Sequence, residues 1–422
     1  MILSNYWNSA WRSLTKKKGF SAINIVGLAI GMAAALLILT YVAFEYSYDD
    51  IHTRQDRIFR VEARFFENGE LTDDWASSSA GYATAMKQNM SGIEDYTRVG
   101  SQYYPEQVVK YNELLYRETG IGYAEANFFN FFDFKLLKGN KENCLDGPNK
   151  VVITERIAHK YFKGENPIGK ILIFRSNIGE EACEVTGIME DMPVNTHVRY
   201  SLLISYKTLP KWMDEYWYRH EVYSYVLLKS ANLKTQVEDN FPEMAEKYKT
   251  EEALKNRAWA IQLTNLRDIH LNSQKAYEPE VKGNRSSIWV LICTALAILC
   301  IAWINYINMT VARSMERAKE IGIRRASGAS RRQVVFQFLF ESLVTNSIAF
   351  ILAVGLMEAL MPSFNNLTGR ALSFSVWFTT SLGWYLLLIF AIGVFLSGFY
   401  PATILSGIKP IRMLKEKFTH TR

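Results

Sequence analysis

Cysteine is scarce in this chain, four in 422 residues, and proline is held to ten. So few cysteines exclude a disulfide-dense scaffold, and ordinary proline and glycine exclude collagen-like and disordered classes. No Gly-x-Ser-x-Gly elbow occurs. His52, His159, His197, His220, His270 and His420 are too scattered to read as a metal cluster, and His220-Glu221 lacks a second histidine at zinc-protease spacing. Gly164 to Ile171 matches Gly-x4-Gly-Lys, but Ile171 stands where a phosphate loop needs Ser or Thr for Mg²⁺. A helix before this run and a strand after it reverse the order of a phosphate loop, so it reads as a structural turn. Nothing marks a catalytic site.

What the chain does have is apolar length. A bilayer core takes about 20 apolar helical residues. Four windows satisfy this: Ile23 to Phe44, Ile288 to Ile307, Val334 to Leu360 and Trp377 to Tyr400. The third carries Glu341, Asn346 and Glu358; the other three have no charge. Lys16, Lys17 and Lys18 before the first window suit a signal peptide, but the run is too long for one and reads as an uncleaved anchor. Leu3, Trp7, Trp11 and Leu14 repeat at helical spacing, with Asn5, Asn8 and Arg12 elsewhere around the helix, as in a helix lying in the membrane interface.

Charge sets the orientation. Residues 1–44, 310–340 and 402–422 hold 16 of the 48 Lys and Arg but 3 of the 42 Asp and Glu. These segments are therefore expected in the cytoplasm, with 45–287 and 361–376 outside. The net charge of +6 then reports orientation, and nucleic acid is not expected as a partner.

The expected fold is membrane α-helical, with four transmembrane helices and a large α+β extracytoplasmic domain inserted between helices one and two. Its divisions are an interfacial helix (1–18), a first span (19–45), an outer domain (46–286), a second span (287–309) and a cytoplasmic loop (310–333). A third span (334–360), an outer loop (361–376), a fourth span (377–401) and a cytoplasmic tail (402–422) complete the chain. In the outer domain, strands are expected at 57–65, 150–154, 170–174, 183–189 and 223–228, and helices at 80–90 and 155–162. Residues 231–254 read as helical, with Pro242 as a break or second start. A Cys144–Cys183 disulfide is permitted but not indicated, and Cys293 and Cys300 in span two read as buried small hydrophobes. Trp212, Tyr216, Trp217, Tyr218 and Tyr223 suit either packing or ligand stacking.

The loop after span two mixes charge with exposed apolar residues. Glu316 and Glu320 lie four apart, as do Arg313 and Arg317, so opposed charges lace one helix; Gly322 then interrupts it and Gly328 permits a turn. Physical chemistry leaves two readings open, a topological basic loop on anionic lipid and a docking surface for a protein partner.

At this loop the sequence resembles a known family. Glu316-Arg317-x-Lys319-Glu320-Ile321-Gly322-Ile323-Arg324-x-Ala326-x-Gly328-Ala329, followed by Gln337-Phe338-Leu339-x-Glu341-Ser342, resembles the FtsX/MacB family of ABC transporter permeases. Asn24-Ile25-x-Gly27-Leu28-Ala29-Ile30-Gly31 is similar to its first span, Phe128 to Phe134 to its periplasmic core domain, and Tyr400-Pro401-Ala402 to its last span. The resemblance implies a non-catalytic permease subunit without a cofactor of its own, driven by ATP bound to a separate cytoplasmic ABC ATPase. It implies that Glu316, Arg317, Glu320, Ile321, Gly322, Arg324, Gly328 and Ala329 form the ATPase contact, and that force is transmitted to the outer domain to export or extract a substrate. A transmembrane signal transmitter that activates a periplasmic enzyme or senses peptides is the alternative. Implied partners are the ATPase, a second permease half, the bilayer and a periplasmic or outer-membrane protein. The chain ends about where long bacteroidetes-type permeases begin a second half, so one half of a machine is expected. Gly27, Gly31 and Ala35 line one face of span one and permit close helix packing. In whole cells, a cysteine at Ser78 is expected to react with an impermeant thiol reagent and one at Ser327 to be shielded.

Overall fold

The computed structural model describes residues 2–16, 18–100, 106–176, 179–212, 217, 219–220, 222–249, 257–279, 282–316, 323, 328, 330–379 and 383–407. The chain divides into two compact units, Met1–Ser47 with Ser286–Arg422, and Tyr48–Arg285.

The first unit is helical. Four helices are long and apolar enough to cross a membrane. The first runs Lys18–Tyr46, the second Arg285–Glu316, the third Arg331–Thr368 and the fourth Gly383–Gly407. Inside hydrocarbon a backbone must satisfy its own hydrogen bonds, which is why these apolar runs are continuous helices. The third, with 38 residues, is about 57 Å long, nearly twice a bilayer core of about 30 Å. It opens on a capping box, with Gln333 N–H donating to Ser330 Oγ (3.3 Å) and Ser330 N–H to Gln333 Oε1 (2.8 Å). It closes at Gly369 in the left-handed conformation (φ 66°). The helix therefore continues past Leu360 into what reads as an outer loop. A short helix, Val376–Thr379, precedes the fourth. The N-terminal helix Ile2–Lys16 leaves Trp7 and Trp11 exposed, with Ala10 buried.

Cys293 and Cys300 are exposed on span two, not buried. They lie on a side of the helix that the described residues leave uncovered.

The second unit is built on one mixed sheet. Its strands are β1 (Ile58–Glu67), β2 (Glu70–Trp75), β3 (Ile93–Gly100), β4 (Glu106–Tyr111), β5 (Leu114–Thr119), β6 (Ile121–Ala124) and β7 (Leu136–Lys138). Then follow β8 (Lys150–Thr154), β9 (Ile171–Ser176), β10 (Gly179–Met189), β11 (Leu202–Ser205), β12 (Val222–Leu228) and β13 (Ala258–Asn265). The spatial order is β13-β1-β12-β3-β6-β11-β8-β10-β9-β4-β5, with β2 on β1 and β7 on β10. The pairs β8–β10 and β6–β11 are parallel; the other pairs are antiparallel. Helices Ala80–Asn89 and Lys234–Glu246 pack through Tyr82, Met86, Val237 and Phe241 into the core cluster that covers β1 and β13. Pro242 sits inside the second of these without breaking it, because buried Phe241, Met244 and Ala245 hold that turn on the core. Cys144 and Cys183 are both free and buried, in different core clusters. Burial pushes their thiols up, to about 11 and about 12.

The alternating β1 sequence is covered on both faces. Phe59, Val61, Ala63 and Phe65 enter one core cluster. On the opposite face Arg60 and Glu62 are fully buried. Arg60 Nη2 meets Glu62 Oε1 and Glu278 Oε1, each at 2.7 Å, and donates to Ser273 Oγ at 3.1 Å. Lys275 Nζ lies 3.0 Å from Glu62 Oε2, which also accepts from Thr264 Oγ1 at 2.7 Å.

Ser78 is fully buried and donates to Ser224 Oγ at 2.8 Å, so a cysteine there would escape reagent on either side of a membrane. Glu113, exposed between β4 and β5, replaces it as the outside reporter. Its cysteine variant is expected to be labelled in whole cells; protection would contradict an outer location. Arg60→Met should destabilise the outer unit by about 3–5 kcal/mol, because Glu278 stays buried without its ion pair and Glu62 keeps only Lys275. Thermal unfolding of the purified chain measures it.

Candidate functional site

The family-like segment lies between spans two and three. The helix of span two carries through Asn305 and Asn308 to Glu316 without interruption. Arg317, Glu320, Ile321, Gly322, Arg324 and Ala329 lie outside the described residues. Ile323 is 53% exposed. Gly328 is an exposed turn residue at φ 96°, a conformation that favours glycine. Two residues later Ser330 caps span three, so Gly328 and Ser330 fix how the chain re-enters the helix.

Of the small residues on span one, Gly31 faces span two directly: a Cβ there would lie 2.6 Å from Ala302 Cβ. Gly393 of span four is similarly filled by the Trp303 ring, 2.2 Å from where its Cβ would be. Gly27 is open, with Asn305 Nδ2 4.0 Å from its Cβ position, and Ala35 is buried.

The outer unit receives the chain at Tyr48 and returns it at Arg285. These two ends are held side by side. Tyr48 stacks on His270, with ring centroids 3.4 Å apart and planes 3° from parallel. Asp49, at φ 61°, turns its carboxylate into the protein. Its Oδ1 accepts from Thr196 Oγ1 (2.6 Å) and His197 N–H (3.2 Å), and its Oδ2 lies 2.8 Å from His197 Nδ1. His197 Nε2 in turn meets the Tyr225 hydroxyl at 3.0 Å. Burial would raise the Asp49 carboxyl, but the charge and hydrogen bonds of His197, with Thr196, pull it below the usual range. Asn265 Nδ2 donates to the carbonyls of Gln55 and Asp56, each at 3.1 Å, and Arg267 pairs with Asp56 at 2.9 Å. Beyond these ties β1 and β13 pair antiparallel from Phe59↔Asn265 to Phe66↔Ala258.

His52 lies fully buried against Phe132 and Phe134. Its Nδ1 accepts from Asp133 N–H at 3.2 Å, so the neutral ring carries its proton on Nε2. Desolvation, outweighing the nearby carboxylates of Asp49 and Asp133, pushes His52 down to about 4.

The other candidate features make local contacts. In the Gly164–Ile171 turn the amides of Glu165, Gly169 and Lys170 donate to the carbonyls of Phe162, Val185 and Pro167. His220 is packed against the rings of Trp75 (3.9 Å) and Tyr277 (4.5 Å). Trp217 stacks on Tyr248 at 4.0 Å and is buried, as is Tyr223. Trp212 is exposed, with the Arg219 guanidinium 5.5 Å from its ring, and Tyr216 and Tyr218 lie outside the described residues. Sequence reasoning passed over Tyr48 and Asp49, and weighed His197 only as a metal ligand. Asp49 and His197 stand 148 residues apart, and no local pattern joins them.

A buried neutral histidine destabilises the fold wherever the unfolded chain would protonate it. The His52 contribution should be complete above pH about 6.5 and fall by about 3 kcal/mol as pH drops toward 4. His52→Gln keeps an acceptor for Asp133 N–H and should remove that part of the slope; unfolding midpoints of both proteins between pH 7 and 4 give the difference.

Comparison with known proteins places this arrangement. The family described as MacB-like periplasmic core domain matches residues 21–243, and the one described as FtsX-like permease C-terminal matches residues 292–410. The macrolide export ATP-binding/permease protein MacB of Campylobacter jejuni subsp. jejuni is 24% identical, over 79% of this chain and 47% of its own length. MacB of Neisseria meningitidis is 27% identical, over 60% of this chain and 38% of its own length. The chain thus spans about half, or less, of the curated relatives it matches. A solved domain of a permease protein from Porphyromonas gingivalis covers 51% of this chain and 91% of its own, at 22% identity and a TM-score of 0.45.

Proposed function

Because this chain belongs to the FtsX/MacB family of ABC transporter permeases, we propose that it is the force-transmitting subunit of an export or extraction machine powered by a separate ATPase. It is a multi-pass inner-membrane protein with a large mixed-sheet domain after its first span. The observation that carries the reading is the helix of span two. Its 32 residues run from the return of the outer unit to Glu316, about 48 Å without a break. A single helix longer than the bilayer core is a stiff lever, and its displacement at one end is available at the other.

On this reading both termini and the segment 310–333 are cytoplasmic, in line with their excess of Lys and Arg. Glu316, Arg317, Glu320, Ile321, Gly322, Arg324, Gly328 and Ala329 dock on the ATPase, which binds the ATP. Exposed Ile323 supplies apolar contact area amid the charges, as expected for a protein interface. A second permease half completes the assembly, and the substrate is taken from the periplasmic side. The ties among Tyr48, Asp49, His197 and His270 pass the movement into the sheet.

Glu320→Ala with Arg324→Ala should weaken capture of the ATPase about tenfold, the equivalent of about 1.4 kcal/mol, and reduce its stimulation. Co-purification and ATP hydrolysis with the chain in lipid nanodiscs measure both; undiminished capture and stimulation would refute the docking assignment.

A further inference from the structure

Span one ends on a charge that does not reach water. Glu45, in its last turn, has a fully buried side chain. Arg370, one residue beyond the cap of span three, brings Nε to 3.3 Å from Glu45 Oε1, and its own side chain is 21% exposed. The same guanidinium lies 6.0 Å from the centre of the Phe44 ring. A turn below, the Trp377 indole N–H donates to Thr40 Oγ1 at 2.9 Å, and Thr40 Oγ1 reaches Met357 Sδ at 3.9 Å. Charge, aromatic and hydroxyl contacts thus tie one end of span one to span three and to the segment joining spans three and four. Spans three and four are tied to each other by a second buried set. Ser342 Oγ and Ser397 Oγ are 2.6 Å apart, and Asn346 Nδ2 donates to both at 3.1 Å.

We propose that Glu45 and Arg370 form a latch that makes spans one, three and four move as a single body. The inference rests on the force-transmission reading and names positioning residues for it. An ion pair whose carboxylate is fully buried holds because Glu45 has no water to take the place of Arg370. Span two meets spans one and four through Gly31 and Gly393, whose lack of a Cβ offers flush surfaces. With the latch closed, movement of span two is measured against one fixed frame, and span one carries that frame to residue 48. With it open, span one is held to spans three and four only by the Thr40 contacts and apolar packing, and its end at residue 46 gains freedom.

The test needs no ATPase, so its failure is distinct from failure of the permease reading. Spin labels at Tyr46 and Leu367, both exposed, are placed in the full chain with its four native cysteines replaced by alanine, in lipid nanodiscs. Pulsed electron paramagnetic resonance reads the spread of distances between them. The unlatched variants Glu45→Gln and Arg370→Gln should roughly double the width of that distribution, and the exchanged pair E45R with R370E should restore it. Widths unchanged in the single variants would overturn the latch. So would an exchanged pair that stays broad, since the effect would then belong to packing and not to the ion pair.

Discussion

A charge withdrawn from water costs several kcal/mol unless a counter-charge and hydrogen bonds meet it. This chain carries such charges close together along one short stretch, at Glu45, Asp49, Arg60 and Glu62. Each is answered from far away in sequence: Glu45 by Arg370, Asp49 by His197, and Arg60 and Glu62 by Glu278 and Lys275. Within each unit these pairs fix where the segment leaving span one must lie. The outer unit cannot bury Arg60 until residues 273–278 have returned over β1, so its first strand and its last turn are completed together.

How much of this could be read in advance follows from how local each signal is. The four spans are properties of continuous sequence, and they were legible from length and charge alone. β12 was legible as a strand over 223–228, and the structure buries it from Val222 to Leu228. The alternation of β1 was legible too, but not its consequence. A polar residue at every second position marks a face without saying what covers it, and here Lys275 and Glu278 do so. Short strands such as β7, three residues long, exist only because β10 is beside them. Pro242 misleads for the opposite reason: its local preference is to break a helix, and core contacts override it. Within the candidate docking segment, residue types were legible through the family motif, while the structure itself places Ile323 and Gly328. The clamp at Asp49 had no local signature, because its partners come from a loop near residue 196.

The two units share a design. In both, flush or apolar packing supplies most of the contact, and a few polar ties select the arrangement. Gly31 and Gly393 let helices approach, but a glycine face has no preferred register along its length. Hydrogen bonds such as Trp377 to Thr40 supply register. In the outer unit the apolar clusters would tolerate small displacements, and the stacked Tyr48–His270 pair and the Asp49 carboxylate define the position of the chain end.

The side-by-side placement of the two chain ends has a mechanical corollary. The start of β1 faces the end of β13, so both attachment points lie at the same end of one antiparallel ladder. A force that parts them would unzip that ladder rung by rung, which is the weakest direction in which hydrogen-bonded strands can be loaded. The ties from Asn265 to residues 55 and 56, from Arg267 to Asp56 and from Asp49 to His197 all stand ahead of the first rung. They act as a selvedge on the sheet: tension is caught by side chains at the hem before it reaches the weave.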